Sequence, residues 1–207
     1  RTKFGRAEEY LIGLYIIKNS KQKLEIWEFL NHFSEEYDNI SEMIEYNEKA
    51  IDLLAKNKFI PILFSYILSV GNILNGGTNR GQADGFNIEV LTKLNNIRDK
   101  NNHSVLQFVC TKIKEDNPDF ENLSQKFICV KEAFGYPFID MQKNWNTFKK
   151  GFAKIQSFYD ALPNDRFKKT ASKQIDNAKK QIEKINKSVE KIQKKYTDLV
   201  KLFGIKE

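Results

Sequence analysis

The chain has 207 residues, of which 41% are apolar and 29% charged, and its formal net charge is +7. This length allows one large or two small domains, and the composition is typical of a helix-rich protein. The longest apolar stretch, residues 59–74, is interrupted by Pro, Ser, Gly and Asn, so no membrane-spanning helix is expected. Because the chain has no signal peptide and begins with Arg1, we interpret it as a piece of a longer protein.

Few residues are available for metal or nucleophilic chemistry. Cys110 and Cys129 lie in apolar helical patterns, which indicates buried free thiols in a reducing compartment. Two histidines are too few for a histidine-based metal site, and no Ser/His/Asp or Cys/His arrangement is recognisable in the sequence. We therefore expect no enzymatic activity, no metal and no cofactor.

Apolar residues recur every three or four positions along almost the whole chain, which predicts helices. In chain order, the predicted helices cover residues 6–17, 22–33, 35–56, 61–75, 86–99, 104–116, 119–134, 139–159 and 171–203. Ser104 is a predicted N-cap, and the pair Asn117–Pro118 ends the helix that follows it. No segment shows the alternation of a strand, so the predicted fold class is all-α.

The last predicted helix has the most regular pattern. Its apolar residues are spaced alternately by three and four: Ile175, Ala178, Ile182, Ile185, Val189, Ile192, Tyr196, Leu199 and Phe203. Such a heptad pattern predicts a helix that packs along one or two others at a small angle. A helix over residues 171–203 is about 50 Å long. We therefore expect an elongated helical bundle with a long, coiled-coil-like C-terminal helix.

The positive charge is concentrated at the C-terminal end. Residues 166–207 hold 13 Lys and Arg against 5 Asp and Glu, whereas the rest of the chain is nearly neutral. This asymmetry indicates an acidic partner such as nucleic acid, a membrane surface or an acidic protein. The alternative is an ordinary solvated helix face. Glu183 and Glu190 among the lysines, and the lack of an aromatic stacking platform, argue against a nucleic-acid site.

Five of the ten glycines fall between Ser69 and Phe86. The spacing of Gly76 and Gly81 matches that of a phosphate-binding P-loop, but Gln82 and Ala83 stand where nucleotide chemistry needs Lys and Ser or Thr. A helix cap and turns would account for four glycines.

Gly71, inside an apolar helix, is left unexplained by caps and turns. A glycine there costs about 1 kcal/mol relative to alanine. We interpret it as a place where another backbone or a large side chain approaches closely, with the side chains of Asn72 and Asn75 holding the loop backbone. The segment is therefore predicted to be a docking surface.

The stretch GNILNGGTNRGQADGFNIEVLTKL resembles the signature of the formin homology 2 domain. The residues that fit the family pattern are Gly71, Asn72, Asn75, Gly77, Thr78, Arg80, Gly81, Ala83, Gly85, Phe86, Leu91, Lys93 and Leu94, with Ile88 in place of a leucine. The flanking segments RAEEYL, IRDKNNHSVLQFV and LVKLFGIKE are similar to the family as well. The resemblance extends over nearly the whole chain. It implies that the chain starts within the knob, without the family's N-terminal lasso, linker and first knob helices.

The resemblance implies a division into subdomains and a dimer. Residues 1–34 would be the remainder of the knob, 35–58 and 142–207 the coiled-coil region, and 59–141 the post. The family forms a ring in which the lasso of each chain docks on the post of the other. The implied docking pocket contains Gly71, Asn72, Asn75, Gly77, Gly81, Gly85 and Phe86.

The resemblance also implies a function. Members of the family bind the barbed end of actin filaments, nucleate filaments and stay attached during elongation, as cytoplasmic proteins of the actin cytoskeleton and without catalysis. Arg98 stands at the position of a basic actin-binding residue, and Lys93 is close enough to assist. The implied partners are actin and a second formin chain, with neither nucleic acid nor membrane. The alternative is a basic coiled-coil module that binds nucleic acid or an acidic membrane surface.

Overall fold

The computed structural model describes residues 5–118 and 123–205, and helices dominate these ranges. Their bounds are α1 (Arg6–Ile16), α2 (Ser20–Lys56), α3 (Phe59–Leu74), α4 (Val105–Asp116), α5 (Leu123–Lys126), α6 (Ile128–Ala133), α7 (Phe138–Ala161) and α8 (Arg166–Leu202), with a 3₁₀ helix over Ile88–Thr92. The described residues contain no strand and only one isolated antiparallel bridge, between Arg98 and Ser104. The prediction of an all-α fold is confirmed.

Four of the predicted helices differ from those in the structure. Residues 22–33 and 35–56 form one continuous helix, α2, because no Gly or Pro separates the two apolar stripes. The predicted helix over residues 119–134 corresponds to the short helices α5 and α6, and its first four residues lie outside the described part. The α-helix predicted over residues 86–99 is wrong, since only the 3₁₀ helix and turns are found there.

The departure at residues 86–99 has a cause in backbone hydrogen bonding. The carbonyl of Leu94 accepts from the amide of Leu106 at 3.3 Å, and the carbonyl of Ile97 accepts from that of Val105 at 2.9 Å. These are amides of the first turn of α4, which have no partner inside their own helix. The segment therefore satisfies the start of α4 instead of continuing its own helix. Ser104 completes this start with a capping box, as predicted, since its side chain accepts from the amide of Gln107 at 3.1 Å.

The chain divides into two compact units. The first unit comprises Arg1–Glu45 and Tyr136–Glu190 and contains α1, α7, and parts of α2 and α8. Ile26, Ile155, Leu162 and Ile175 form a buried cluster in this unit. Phenylalanine rings of α2 and α7 extend the core, for example Phe33 and Phe148 with ring centroids 5.2 Å apart.

An ion pair fixes the turn between α7 and α8 in the first unit. The ammonium of Lys23 lies 2.5 Å from a carboxylate oxygen of Asp165. The other carboxylate oxygen accepts from the amide of Lys168 at 3.0 Å, which satisfies an unpaired donor in the first turn of α8.

The second unit comprises Tyr46–Gly135 and Lys191–Glu207. Helices α3 and α4 pack against each other, and the buried residues Ile67, Leu94, Val109 and Ile113 form their core. Phe64 contributes from α3 and meets Phe203 edge to face, with ring centroids 5.9 Å apart. The 3₁₀ helix adds Val90 and Leu91 to the edge of this core.

The predicted heptad seam of α8 is buried. Seven of its nine residues are buried, from Ile175 to Ile192 without exception, together with Leu199. Tyr196 and Phe203 are half-buried. The periodic pattern therefore identified the core face of this helix correctly.

Ionic contacts in the second unit join the C-terminal part of α8 to α2. The ammonium of Lys195 lies 2.7 Å from Glu48 and 2.8 Å from Asp52, and Lys191 lies 2.8 Å from Glu48. Hydrogen bonds from Lys191 and Lys195 hold the pKa of Glu48 below its ordinary value, and the hydrogen bond from Lys195 does the same for Asp52.

Taken one at a time, none of the described helices is long and apolar enough to cross a membrane, and only the bent pair of α2 and α3 meets that test by length and composition.

Candidate docking site

The glycine-rich loop begins where α3 ends in the second unit. Asn75 is the C-cap, and its carbonyl accepts from the amide and the hydroxyl of Thr78, at 3.1 and 2.7 Å. Gly77 has φ +75°, a backbone conformation that residues with a Cβ rarely adopt. The loop therefore turns back sharply onto the end of α3.

The folded-back loop passes very close to α3 at Gly81. A Cβ atom built on Gly81 would lie 2.7 Å from the carbonyl oxygen of Asn75, and a backbone atom cannot move aside as a flexible side chain can. Only glycine fits here without a shift of the loop. Gly77 and Gly81 thus shape the loop through its backbone.

Asn72 fixes the far end of the loop. Its side-chain amide donates to the carbonyl of Ala83 at 3.0 Å, and its side-chain oxygen accepts from the amide of Ala83 at 2.8 Å. The sequence predicted that Asn72 and Asn75 together would hold the loop backbone. Asn72 does so with its side chain, whereas the hydrogen bonds of Asn75 to the loop come from its carbonyl oxygen.

The loop and α3 enclose a cavity of about 450 Å³. Its lining residues are Ile67, Leu68, Gly71, Asn72, Leu74, Asn75, Arg80, Ala83, Gly85, Phe86, Val90, Leu94, Ile97 and Val105. Most of the lining is apolar, and Asn72, Asn75 and Arg80 supply polar groups. Such a mixture is typical of a site that binds an apolar group in a defined orientation.

Gly71 forms part of the cavity wall. A Cβ atom built there would meet no atom outside its own helix within 4 Å. The missing side chain is therefore not required by packing within the described part of this chain. Its absence leaves α3 with an open backbone surface that faces the cavity.

Phe86 fixes the floor of the cavity. Its ring meets Phe64 edge to face, with centroids 5.5 Å apart, and it packs against the core of the second unit. The rigid ring couples the end of the loop to α3.

The structure brings five of the seven predicted docking residues to the cavity wall: Gly71, Asn72, Asn75, Gly85 and Phe86. Gly77 and Gly81 do not line the cavity and act on the loop. The sequence had not singled out Leu68, Leu74, Ile97 or Val105. Their apolar spacing resembles that of core residues, so no local signal distinguishes them.

Lys93 and Arg98, the predicted actin-binding residues, are exposed and lie outside the cavity. Lys93 is the C-cap of the 3₁₀ helix. Arg98 was expected on a helix but lies in a tight loop. One nitrogen of its guanidinium donates to the carbonyl of Asn102 at 2.8 Å, and Asn102 has φ +68°. Arg98 is exposed, and its predicted placement on a helix is wrong.

Asp99 organises this loop from within. One of its carboxylate oxygens accepts from the amides of Asn101 and His103, at 2.9 and 2.8 Å. The hydrogen bond from the His103 backbone is the main reason why the pKa of Asp99 lies below its ordinary value. The loop that carries Arg98 is thus well defined in the absence of a partner.

A second cavity in the same unit was not anticipated. It has a volume of about 340 Å³ and lies between α3, the 3₁₀ helix and the end of α8, with Phe59, Leu63, Leu91 and Phe203 in its almost wholly apolar lining. No polar group is placed to orient a ligand there, so we regard it as a gap in the core of the unit.

The described residues offer little for catalysis. No group of three or more His, Cys, Asp or Glu residues in these ranges could hold a metal ion. Burial raises the pKa of the Cys110 thiol, which disfavours the reactive thiolate. What the site offers is a shaped, largely apolar cavity beside a loop with exposed basic residues. These features define a helical module with a candidate docking site.

Comparison with known proteins identifies the family of this module. The Formin Homology 2 Domain model matches residues 1–207, so the chain belongs to the formin homology 2 family. The chain is 25% identical to Formin-G of Dictyostelium discoideum over 98% of its length and 20% of that protein. It is 29% identical to FH1/FH2 domain-containing protein 3 of Homo sapiens, over 68% of the chain and 10% of that protein.

A relative from a third organism, protein cappuccino of Drosophila melanogaster, is 31% identical over 48% of the chain and 9% of that protein. The chain thus spans a fifth or less of the length of these three relatives. Its family membership makes it a formin homology 2 module.

Proposed function

We propose that this chain belongs to a dimeric domain that binds the barbed end of actin filaments, nucleates filaments and remains attached as they elongate. In this proposal the protein works in the cytoplasmic actin cytoskeleton and catalyses no reaction. Residues 59–141 form the post, residues 35–58 and 142–207 the coiled-coil region, and residues 1–34 part of the knob.

The observation that carries the proposal is the cavity beside Gly71. Among the described residues, no atom outside its own helix lies within 4 Å of a Cβ built at this glycine, although a glycine inside a helix costs about 1 kcal/mol relative to alanine. The hydrogen bonds between the Asn72 side chain and the Ala83 backbone, together with the close approach at Gly81, hold the loop in the shape that keeps the cavity open. These features support the docking of an apolar segment from a second chain, the lasso, at this place.

Arg98 and Lys93 are proposed to contact actin. Both are exposed, and the loop around Asp99 presents Arg98 without help from a partner. The guanidinium keeps further N–H donors beyond the one bound to Asn102, and a planar guanidinium suits carboxylate groups on an acidic surface. Lys93 would add a second positive charge.

The test is barbed-end affinity of the full-length dimer, measured from the inhibition of elongation at filament seeds. Arg98→Asp should weaken binding about tenfold or more, because it replaces an attractive charge with a repulsive one at the interface. Lys93→Asp should have a smaller effect in the same direction. Lys100→Asp is the matched control, because Lys100 is an exposed residue of the same loop.

Ionic strength separates two kinds of contact. At the rim of an interface, the loss caused by Arg98→Asp should shrink as salt rises, because screening acts within about 10 Å at 0.1 M. Dimerisation should not change. If Arg98→Asp inhibits elongation as strongly as the wild type at both low and moderate salt, Arg98 does not bind actin.

A further inference from the structure

The outer face of α8 carries a regular row of lysines. Opposite the buried seam, every seventh residue is a lysine, and all five are exposed: Lys173, Lys180, Lys187, Lys194 and Lys201. Positions halfway between seam residues project farthest from the core of a helical bundle. The lysines therefore point into solvent.

Within the first unit, Lys169 and Lys184 are also exposed and widen the row. From here on, the name lysine row means only the five exposed lysines on this side of α8 that belong to the first unit. They are Lys169, Lys173, Lys180, Lys184 and Lys187, so Lys194 and Lys201, which belong to the second unit, are not included. It extends over about 27 Å of one helix. Its members form no ion pair with any carboxylate of the described residues, although Asp176 and Glu183 lie on the same helix. This differs from Lys195 of the same helix, which two carboxylates neutralise.

The first unit has charge of the opposite sign on α2. Glu28, Glu35, Asp38 and Glu42 are all exposed there. The unit therefore has a basic helix face on α8 and an acidic helix face on α2. An anionic surface would attract the basic face of α8 and repel the acidic face of α2, which gives the unit a preferred orientation.

The chemistry of the lysine row favours binding to a surface through electrostatic attraction alone, without recognition of a specific group. Between residues 168 and 190, α8 has only lysines as basic residues, and its apolar residues are all buried. An ammonium is a point charge without the planar fork that recognises one phosphate or base in a fixed geometry. The face offers no aromatic ring on which a base could stack and no apolar side chain that could enter a bilayer.

The geometry of the row separates a plane from a double helix. The lysines lie along one side of a single helix, so a flat anionic surface can meet all of them at once. The phosphate backbone of a nucleic-acid duplex winds around the duplex axis. A straight row of lysines can therefore contact only a few phosphates before the backbone turns away from it. A flat surface of lipid headgroups therefore satisfies more of the charges.

We propose that the lysine row docks this protein on the headgroup face of an anionic lipid bilayer, with α2 turned toward solvent. This goes beyond the proposed actin function, does not depend on it, and departs from the expectation that the chain has no membrane partner. The contact is electrostatic and peripheral, without insertion. Each lysine near a phosphatidylserine-rich surface strengthens binding about fivefold at most.

The experiment is co-sedimentation of the 207-residue chain with phosphatidylcholine vesicles that contain either no anionic lipid or roughly 30% phosphatidylserine, at about 0.1 M salt. The wild type should bind only the anionic vesicles. The variant K173Q/K180Q/K184Q/K187Q should bind them at least about tenfold more weakly. The control K18Q/K21Q/K126Q/K131Q loses the same charge at exposed lysines elsewhere and should bind nearly as well as the wild type.

Circular dichroism should show the same helix content for all three proteins, because the ammonium groups of the substituted lysines make no hydrogen bond or ion pair within the described residues and glutamine is also a good helix former. Equal losses in both variants would mean that net charge alone drives binding, and would overturn the proposal. So would an absence of binding to anionic vesicles, or tighter binding of the row to a DNA duplex than to vesicles at the same salt concentration.

Discussion

The side chain of Asn72 holds the backbone of Ala83 with two hydrogen bonds, one donated at 3.0 Å and one accepted at 2.8 Å. The two residues are eleven positions apart, and the glycine-rich loop lies between them. A primary amide carries a donor and an acceptor side by side, so it can bond the C=O and the N–H of one residue at the same time, which a carboxylate, having only acceptors, cannot do. This pair of hydrogen bonds between Asn72 and Ala83, which we call the Asn72 clamp, therefore determines the shape of the loop and of the cavity beside it.

Removal of the clamp should loosen the loop. With Asn72→Ala, the amide of Ala83 should exchange its hydrogen about fivefold faster, because a hydrogen bond of this kind contributes about 1 kcal/mol. Asn72→Asp keeps the acceptor and should give a smaller change. Asn95→Ala, at an exposed position, is the control. Unchanged exchange at Ala83 in Asn72→Ala would show that the loop is held by other contacts.

Gly81 and Gly85 should respond differently to the same substitution. Gly81→Ala brings a Cβ to 2.7 Å from the Asn75 carbonyl oxygen, whereas at Gly85 nothing lies within 4 Å. Gly81→Ala should lower the free energy of unfolding by about 1–3 kcal/mol, and Gly85→Ala should change it by less than about 0.5 kcal/mol. Chemical denaturation measures both. Equal effects would contradict the close approach at Gly81.

The ionic contacts of Lys195 predict a dependence of stability on pH. Glu48 and Asp52 have lowered pKa values in the folded protein, so their contribution is present above the unfolded pKa values and is lost as the pH falls through the folded ones. Lys195→Met removes the partner and should cost about 1 kcal/mol or less near pH 7, since the groups are partly exposed.

This cost should begin to shrink as the pH falls through about 4, the range in which unfolded Asp and Glu become protonated, and should be lost once the pH lies below the lowered pKa values of the folded wild type. Urea denaturation of the wild type and Lys195→Met between neutral and acidic pH gives the difference directly. Lys191→Met, which removes a contact to Glu48 alone, is the matched comparison and should show a smaller effect. A difference that stays constant down to acidic pH would mean that Lys195 stabilises the unit by packing.

Local signals in the sequence predicted much of the fold. The seam from Ile175 to Ile192 is buried, because a pattern with heptad spacing can bury its apolar residues only on one side of a helix. Ser104 caps α4, since a hydroxyl with Gln three residues later satisfies the first turn from nearby atoms. Both features depend on residues close in sequence.

The parts of the fold and of the site that were not predicted depend on contacts between residues distant in sequence. The spacing of Ile88, Leu91 and Leu94 is that of a helix, but the carbonyls of Leu94 and Ile97 bind the start of α4, which no periodicity reveals. Arg98 was therefore placed on the wrong kind of element. Likewise, Asn72 could be recognised as a residue that holds the loop, whereas its partner Ala83 could not, because any residue has the same peptide group.

The central claim, that a second chain docks in the cavity beside Gly71, is tested most directly by Gly71→Leu in the full-length protein. The leucine side chain would fill the cavity, while α3 should stay folded because leucine is a good helix former and meets no neighbour at its Cβ. Ser69→Leu is the control, at an exposed residue of α3 outside the cavity. Analytical ultracentrifugation should show a dimer for the wild type and Ser69→Leu and a monomer for Gly71→Leu, with equal circular dichroism. A dimer of unchanged stability in Gly71→Leu would contradict the claim.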